Sequence, residues 1–261
     1  MITKIPTLLF VILFAHLANH AQASDTKMLS IGLNASGEIL IISPDGKKLG
    51  YDAAAKKTYD EIKGATTSTA RDREPVYNVP VSNSTGDLTI RVFGKTRQTK
   101  GDLGISGNGF ILRTIGLALE PRKVFTVILR PDLSKIQFSA NSIVENPTFN
   151  LAIDPPSATD PSYIFKLTLS KLALKKTMTI ALNLTAATLN FSDNGLPKNI
   201  YSLQATKIDA SGAEKIFANP KIISTKTNRF QFDFKNWDEK INGCLKIDEN
   251  ADGFGDEKCE K

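Results

Sequence analysis

Short alternations of apolar and polar residues, each closed by a turn signal, run through most of this chain and leave little that can be helical. Asp87-Leu-Thr-Ile-Arg-Val-Phe93 is the clearest case. Its alternation puts one set of side chains on each face of a half-buried strand. Tyr163, Phe165, Leu167 and Leu169 likewise share one face, with Lys166, Thr168 and Ser170 between them. Further strands are expected at Glu38–Ser43, Phe110–Leu117, Lys123–Leu129, Lys135–Ser139 and Thr148–Ile153. After these come Thr177–Leu184, Thr188–Phe191, Ile200–Ile208, Lys221–Lys226 and Arg229–Phe234. Pro44-Asp45-Gly46, Asp193-Asn194-Gly195 and Ser211-Gly212 punctuate them as turns. Many short strands at this spacing indicate an all-β, sandwich-type architecture.

Three prolines fall between Ile153 and Pro161. A proline cannot donate to a ladder, so this stretch is no central strand. It marks the expected boundary between two sandwich-like halves, 76–153 and 162–237, with one larger sandwich as the alternative. Ahead of them, 24–75 reads as a frayed start over Ser24–Met28, a strand, a turn and one short helix at Ala53–Ile62. A Thr/Ser-rich loop then covers Gly64–Arg73. Residues 238–261 form an acidic tail.

The first 23 residues have the layout of a secretory signal peptide. Lys4 supplies the positive start, Pro6–Leu17 the apolar stretch and Ala21-Gln22-Ala23 the cleavage site. The apolar stretch is too short for a membrane span of about 20 residues, and no later run is long enough. The expected location is therefore secreted, extracellular or periplasmic, with no transmembrane segment after cleavage. Both histidines, His16 and His20, lie in this leader. A mature chain without histidine excludes Ser-His-Asp and Cys-His mechanisms and every histidine-ligated metal site.

The mature chain carries 32 bases and 27 acids. From Asp238 onward there are eight acids and four bases, so the tail is −4 and the rest +9. The bases of that remainder are scattered, and nucleic-acid binding, which needs them clustered on one face, is not expected. Aromatic usage is skewed: 14 Phe, 5 Tyr and a single Trp, Trp237. Sugar-binding surfaces ordinarily use Trp and Tyr as flat amphipathic platforms, and no such cluster is visible.

The segment Ser43-Pro44-Asp45-Gly46-Lys47-Lys48-Leu49-Gly50-Tyr51-Asp52, followed by Glu61-Ile62-Lys63-Gly64-Ala65, resembles a motif of secreted bacterial proteins of unassigned function. That motif reads Asp-Pro-x-Gly-Arg-x-x-Gly-Tyr/Phe-Asp and then Glu-Ile-Pro-Gly-Ala. The resemblance implies a bacterial extracellular setting and no chemistry. The residues themselves read as a turn, a glycine suited to positive φ and a packed tyrosine. The Ser-Pro-Asp-Gly-Lys stretch is also similar to a propeller-blade hairpin, but it occurs once, and a propeller needs it repeatedly.

One motif carries chemistry. Asp248, Asn250 and Asp252 are spaced two apart, Gly253 follows, and Asp256 comes four after Asp252. Calcium takes six to eight oxygens, and oxygen-bearing residues at alternate positions of a curling loop converge on one point. The Phe254 carbonyl supplies a backbone oxygen. The segment is similar to a single thrombospondin type-3 calcium repeat and, over its first nine positions, to an EF-hand loop. Cys259 stands where an EF-hand has its bidentate Glu. Thus Asp248, Asn250, Asp252, Phe254, Asp256 and Glu260 are the candidate Ca2+ ligands, with an acidic turn that binds no ion as the alternative. Cys244 and Cys259 flank the loop, and in an oxidising compartment a disulfide is the default. Closing a loop of about 15 residues is worth roughly 3 kcal/mol in the chain-entropy model. Intermolecular pairing is the alternative.

These features lead to an expected function without catalysis. The chain reads as a secreted or surface-associated β-sandwich with a calcium-binding C-terminal loop, acting with an extracellular or envelope partner in adhesion, envelope structure or assembly. The alternatives are a module binding an extracellular polymer or glycan and a histidine-free glycosidase using two carboxylates.

Overall fold

The computed structural model describes residues 27–69, 74–82, 86–95, 100–107, 109–154, 157–194, 198–225, 228–234 and 245–248. These residues contain 21 strands and no helix. In chain order the strands are β1 (Lys27–Leu33), β2 (Gly37–Ile42), β3 (Lys48–Asp52), β4 (Lys57–Asp60), β5 (Thr66–Ser68), β6 (Val76–Val81) and β7 (Leu88–Gly94). Next come β8 (Lys100–Gly107), β9 (Phe110–Ala118), β10 (Val124–Leu129), β11 (Ile136–Ala140), β12 (Val144–Glu145), β13 (Thr148–Ile153) and β14 (Ser162–Leu169). The last are β15 (Lys171–Leu172), β16 (Thr177–Asn183), β17 (Thr188–Asp193), β18 (Lys198–Ile208), β19 (Glu214–Thr225), β20 (Arg229–Asp233) and β21 (Leu245–Asp248).

Two large antiparallel sheets form a sandwich. The first has nine strands in the order β19-β18-β14-β13-β9-β8-β1-β6-β5. The second has ten, in the order β21-β20-β17-β16-β11-β10-β7-β2-β3-β4, and β12 pairs separately with β15. From β8 onward the chain lays down a hairpin in one sheet, crosses, and lays down the next in the other. Each hairpin pairs with the previous one of its own sheet, as β9 with β13 and β11 with β16. Strands β13 and β14, on either side of the Pro-rich segment after Ile153, pair with each other from Thr148↔Thr168 to Ile153↔Tyr163. Strands from both sides of that segment contribute to both sheets and to one buried cluster.

The alternation explains the core. Inward residues such as Val127, Phe138, Ile180 and Phe191 are at most 3% exposed, and their sequence neighbours point away from the core. Aromatic pairs stitch the sheets together: Phe138 with Phe149 at 4.1 Å between ring centroids, Phe217 with Phe232 at 4.8 Å, and Phe191 with Tyr201 at 5.5 Å. Such pairs add about 0.5–1.5 kcal/mol beyond the area they bury.

Two expectations for the N-terminal region are corrected. The helix expected over Ala53–Ile62 is a turn followed by strand β4. Asp52 Oδ1 accepts the amides of Ala54 (3.1 Å) and Ala55 (3.3 Å), and Lys56 has φ of 51°. That local side-chain turn and left-handed residue redirect the chain into pairing with β3. Nor is the start frayed as far as Met28: β1 begins at Lys27 and lies between β6 and β8.

Candidate functional site

Of the six candidate calcium ligands, the described residues include one, Asp248. It is the last residue of β21, the edge strand of the ten-stranded sheet, directly opposite Arg229 of β20. Asp248 is 2% exposed. The sequence reading placed Asp248 in a loop flanked by Cys244 and Cys259, but Leu245–Asp248 form a strand. Leu245 and Ile247 are buried opposite Phe232 and Phe230, which pins β21 to the sandwich. Asn250, Asp252, Phe254, Asp256 and Glu260 lie outside the described residues, as do Cys244 and Cys259 and the expected signal peptide. Among the described residues no group of three or more acidic, Cys or His side chains is placed to hold a metal ion. Among them also, no helix is long and apolar enough to cross a membrane.

A buried polar cluster that the sequence reading missed joins the end of β17 to β18. Tyr201, fully buried on β18, donates its phenol hydrogen to Asp193 Oδ2 at the end of β17. Asn199 Nδ2 donates to the same oxygen at 3.3 Å and to the Lys171 carbonyl at 3.0 Å. Its Oδ1 accepts from Ser170 Oγ at 2.7 Å and from the Ile200 amide at 3.0 Å. Burial, and then the charge of Asp193, hold the Tyr201 phenol far above its ordinary range, so it stays a neutral donor. The cluster ties β17 of one sheet to β18 of the other. Its only sequence signal is an acid on the inward phase of β17.

Asp102 closes a second polar knot at the register shift between Gly101 and Leu103. It accepts from Arg113 Nη2, from Asn34 Nδ2 at 3.1 Å and from the Gly116 amide at 3.0 Å. A carboxylate satisfied on both oxygens locks a bulge and leaves little capacity for a ligand.

The two halves of the N-terminal motif hold each other. The Glu61 amide donates to the Lys48 carbonyl at 2.8 Å, and the Lys48 amide donates to Glu61 Oε2 at 3.0 Å. Burial opposes ionisation of Asp52, but Lys48 Nζ at 3.1 Å and the Ala55 and Ala54 amides outweigh it and lower its pKa. Gly46, Gly50 and Gly64 all have positive φ. A Cβ at Gly50 would lie 2.2 Å from the Ile39 carbonyl oxygen, so only glycine fits. The motif thus builds an interlocked three-strand corner. Asp233 lies between the buried Phe232 and Phe234, on the outward phase of β20 and opposite Thr188, as strand alternation places it.

No protein-family model, curated protein or solved structure matches this chain.

Proposed function

We propose that this chain is a secreted or surface-associated bacterial protein without catalytic activity, and that it binds calcium through its C-terminal loop. Its role is adhesion, envelope structure or assembly, with an extracellular or envelope partner. The observation that carries the reading is the position of Asp248. The first oxygen donor of the Asp248-Asn250-Asp252 spacing stands at the end of a strand anchored in the sandwich. The ligand series therefore starts from a fixed point, which lowers the entropy lost when an ion gathers the remaining donors. The Cys244–Cys259 disulfide would narrow the loop's freedom further. A single loop of this kind binds with a Kd of about 10⁻⁴–10⁻³ M, the range of extracellular modules.

The test is calorimetric titration of the mature chain with calcium, beside Asp252→Ala, which leaves the buried Asp248 intact. Saturation at one equivalent in the wild type, lost in the variant, is the expected result. Absence of heat up to several times the weaker limit, about 10⁻³ M, overturns the calcium reading. Thiol titration without and with reductant checks the disulfide: free thiols should appear only after reduction.

A further inference from the structure

Four adjacent strands of the ten-stranded sheet, β10, β11, β16 and β17, contain one charged residue between them, Asp193, and it is buried. Their outward residues are therefore uncharged without exception, in a chain that is 23% charged. The register aligns these residues into cross-strand rungs. Thr126, Ser139 and Thr177 form one, and Gln137, Thr179 and Ser192 another. Neighbouring side chains are tied to one another: Gln137 Nε2 donates to Thr179 Oγ1 at 3.4 Å, and Gln231 Nε2 of β20 to Asn190 Oδ1 at 3.0 Å. Charges return at the margins, with Arg91 on β7 and Arg229 on β20. The opposite outer face differs, since Arg113 and Lys166 lie on its central strands β9 and β14.

We propose that this face binds a neutral polysaccharide. Hydroxyl and carboxamide side chains both donate and accept, as sugar hydroxyls do, so either partner can satisfy the other. Side chains about 4.8 Å apart within a rung, and rungs about 7 Å apart along the strands, offer a repeating set of such groups to a repeating polymer. Short side chains already bonded to one another lose little freedom on binding. Other partners fit less well. An acidic polymer or nucleic acid requires clustered bases, whereas here Arg91, opposite Thr126, and Arg229, opposite Ser192, stand apart at the two sides of the face. A protein interface wants a core of aromatic, Met and Arg residues, and no aromatic residue or Met points outward from these strands. Without aromatic platforms the affinity must come from many rungs engaged together, which selects an extended polymer over a free sugar. This site is independent of the calcium loop and extends the adhesive role to a class of partner.

The test is co-sedimentation of the mature chain with insoluble cellulose, chitin and amylose, and separately retention on heparin. Retention by at least one neutral polymer is expected, with affinity reduced at least tenfold in Thr179→Lys and in Thr126→Arg. Gln204→Lys on the opposite sheet face should bind as wild type does. Circular dichroism and Tm identify any variant that fails to fold, and the two face variants lie on different strands. Retention should survive a calcium chelator and the Asp252→Ala change, so failure of the calcium reading and failure of this one are separable. No retention on any of the three polymers overturns the proposal, as does full retention in both face variants. Salt-sensitive retention on heparin alone would assign the surface to acidic polymers instead.

Discussion

Tyr201 on β18 and Asp193 on β17 join the two sheets by a buried hydrogen bond at the point where the chain passes from one to the other. Asn199, 3% exposed, shares the same carboxylate oxygen, so the sandwich is fastened there by polar geometry inside an otherwise apolar core. Tyr201→Phe leaves the buried Asp193 one donor short and should destabilise the fold by about 1–3 kcal/mol in urea titrations.

The same phenol creates an alkaline limb. Its folded pKa is raised by burial and by Asp193. The native state therefore keeps its proton while the unfolded chain ionises near the ordinary tyrosine value of 10.0. The stabilisation is whole below that pH and is lost as pH rises beyond it. Tyr77 and Tyr163 are also raised, chiefly by burial. Unfolding free energy measured over the range in which tyrosine titrates, about pH 8 to 11.5, should fall less steeply in Tyr201→Phe than in the wild type, without becoming flat.

An acid limb is expected at Asp87, which accepts from Lys135 Nζ at 2.6 Å and Arg130 Nε at 3.0 Å. The Lys135 hydrogen bond, helped by Arg130 and opposed by burial, lowers the Asp87 pKa below 3.8. Its contribution is present above the unfolded value and disappears as pH falls through the folded one. Asp87→Asn should cost about 0.5–1 kcal/mol at neutral pH. The difference should shrink at a second, acid pH well below the ordinary carboxyl range, as the wild-type carboxylate takes up its proton. Paired denaturation curves at the two pH values check this.

Gly50 has φ of 94° and no room for a methyl group against the Ile39 carbonyl. Gly50→Ala should destabilise the protein by at least about 2 kcal/mol, since strain and backbone clash act together. Gly46 has positive φ but open space around it. Gly46→Ala should therefore cost clearly less, and comparison of the two Tm values separates clash from strain.

Strand β19 is the outer strand of the nine-stranded sheet and exposes Ile216 at 58% and Ile223 at 41%. Pro220, Lys215 and Lys221 interrupt it, and the register against β18 shifts between Tyr201 and Leu203. These features discourage pairing with another edge. The double change Pro220→Val and Lys221→Val should produce concentration-dependent association in analytical ultracentrifugation.

What the sequence determined by itself was local. Alternation is a consequence of strand geometry alone, so Thr148–Ile153 and Thr177–Asn183 were legible from their own residues. Strands that lack alternation were not: β8 carries glycines at 101, 104 and 107, and β4 and β5 are exposed on both faces. The Ala53–Ile62 segment carried helix-forming alanines, and a side-chain turn from Asp52 overrode them. At the candidate calcium loop, the spacing of oxygen donors was readable because it lies within a dozen residues. That Asp248 ends a strand was not, because β21 exists only through pairing with β20. Tertiary structure alone decided the Asp193–Tyr201 fastener and the uncharged face. Both join segments from different hairpins, and strand pairing across long loops is set by the packing of the whole core, which no single stretch of sequence encodes.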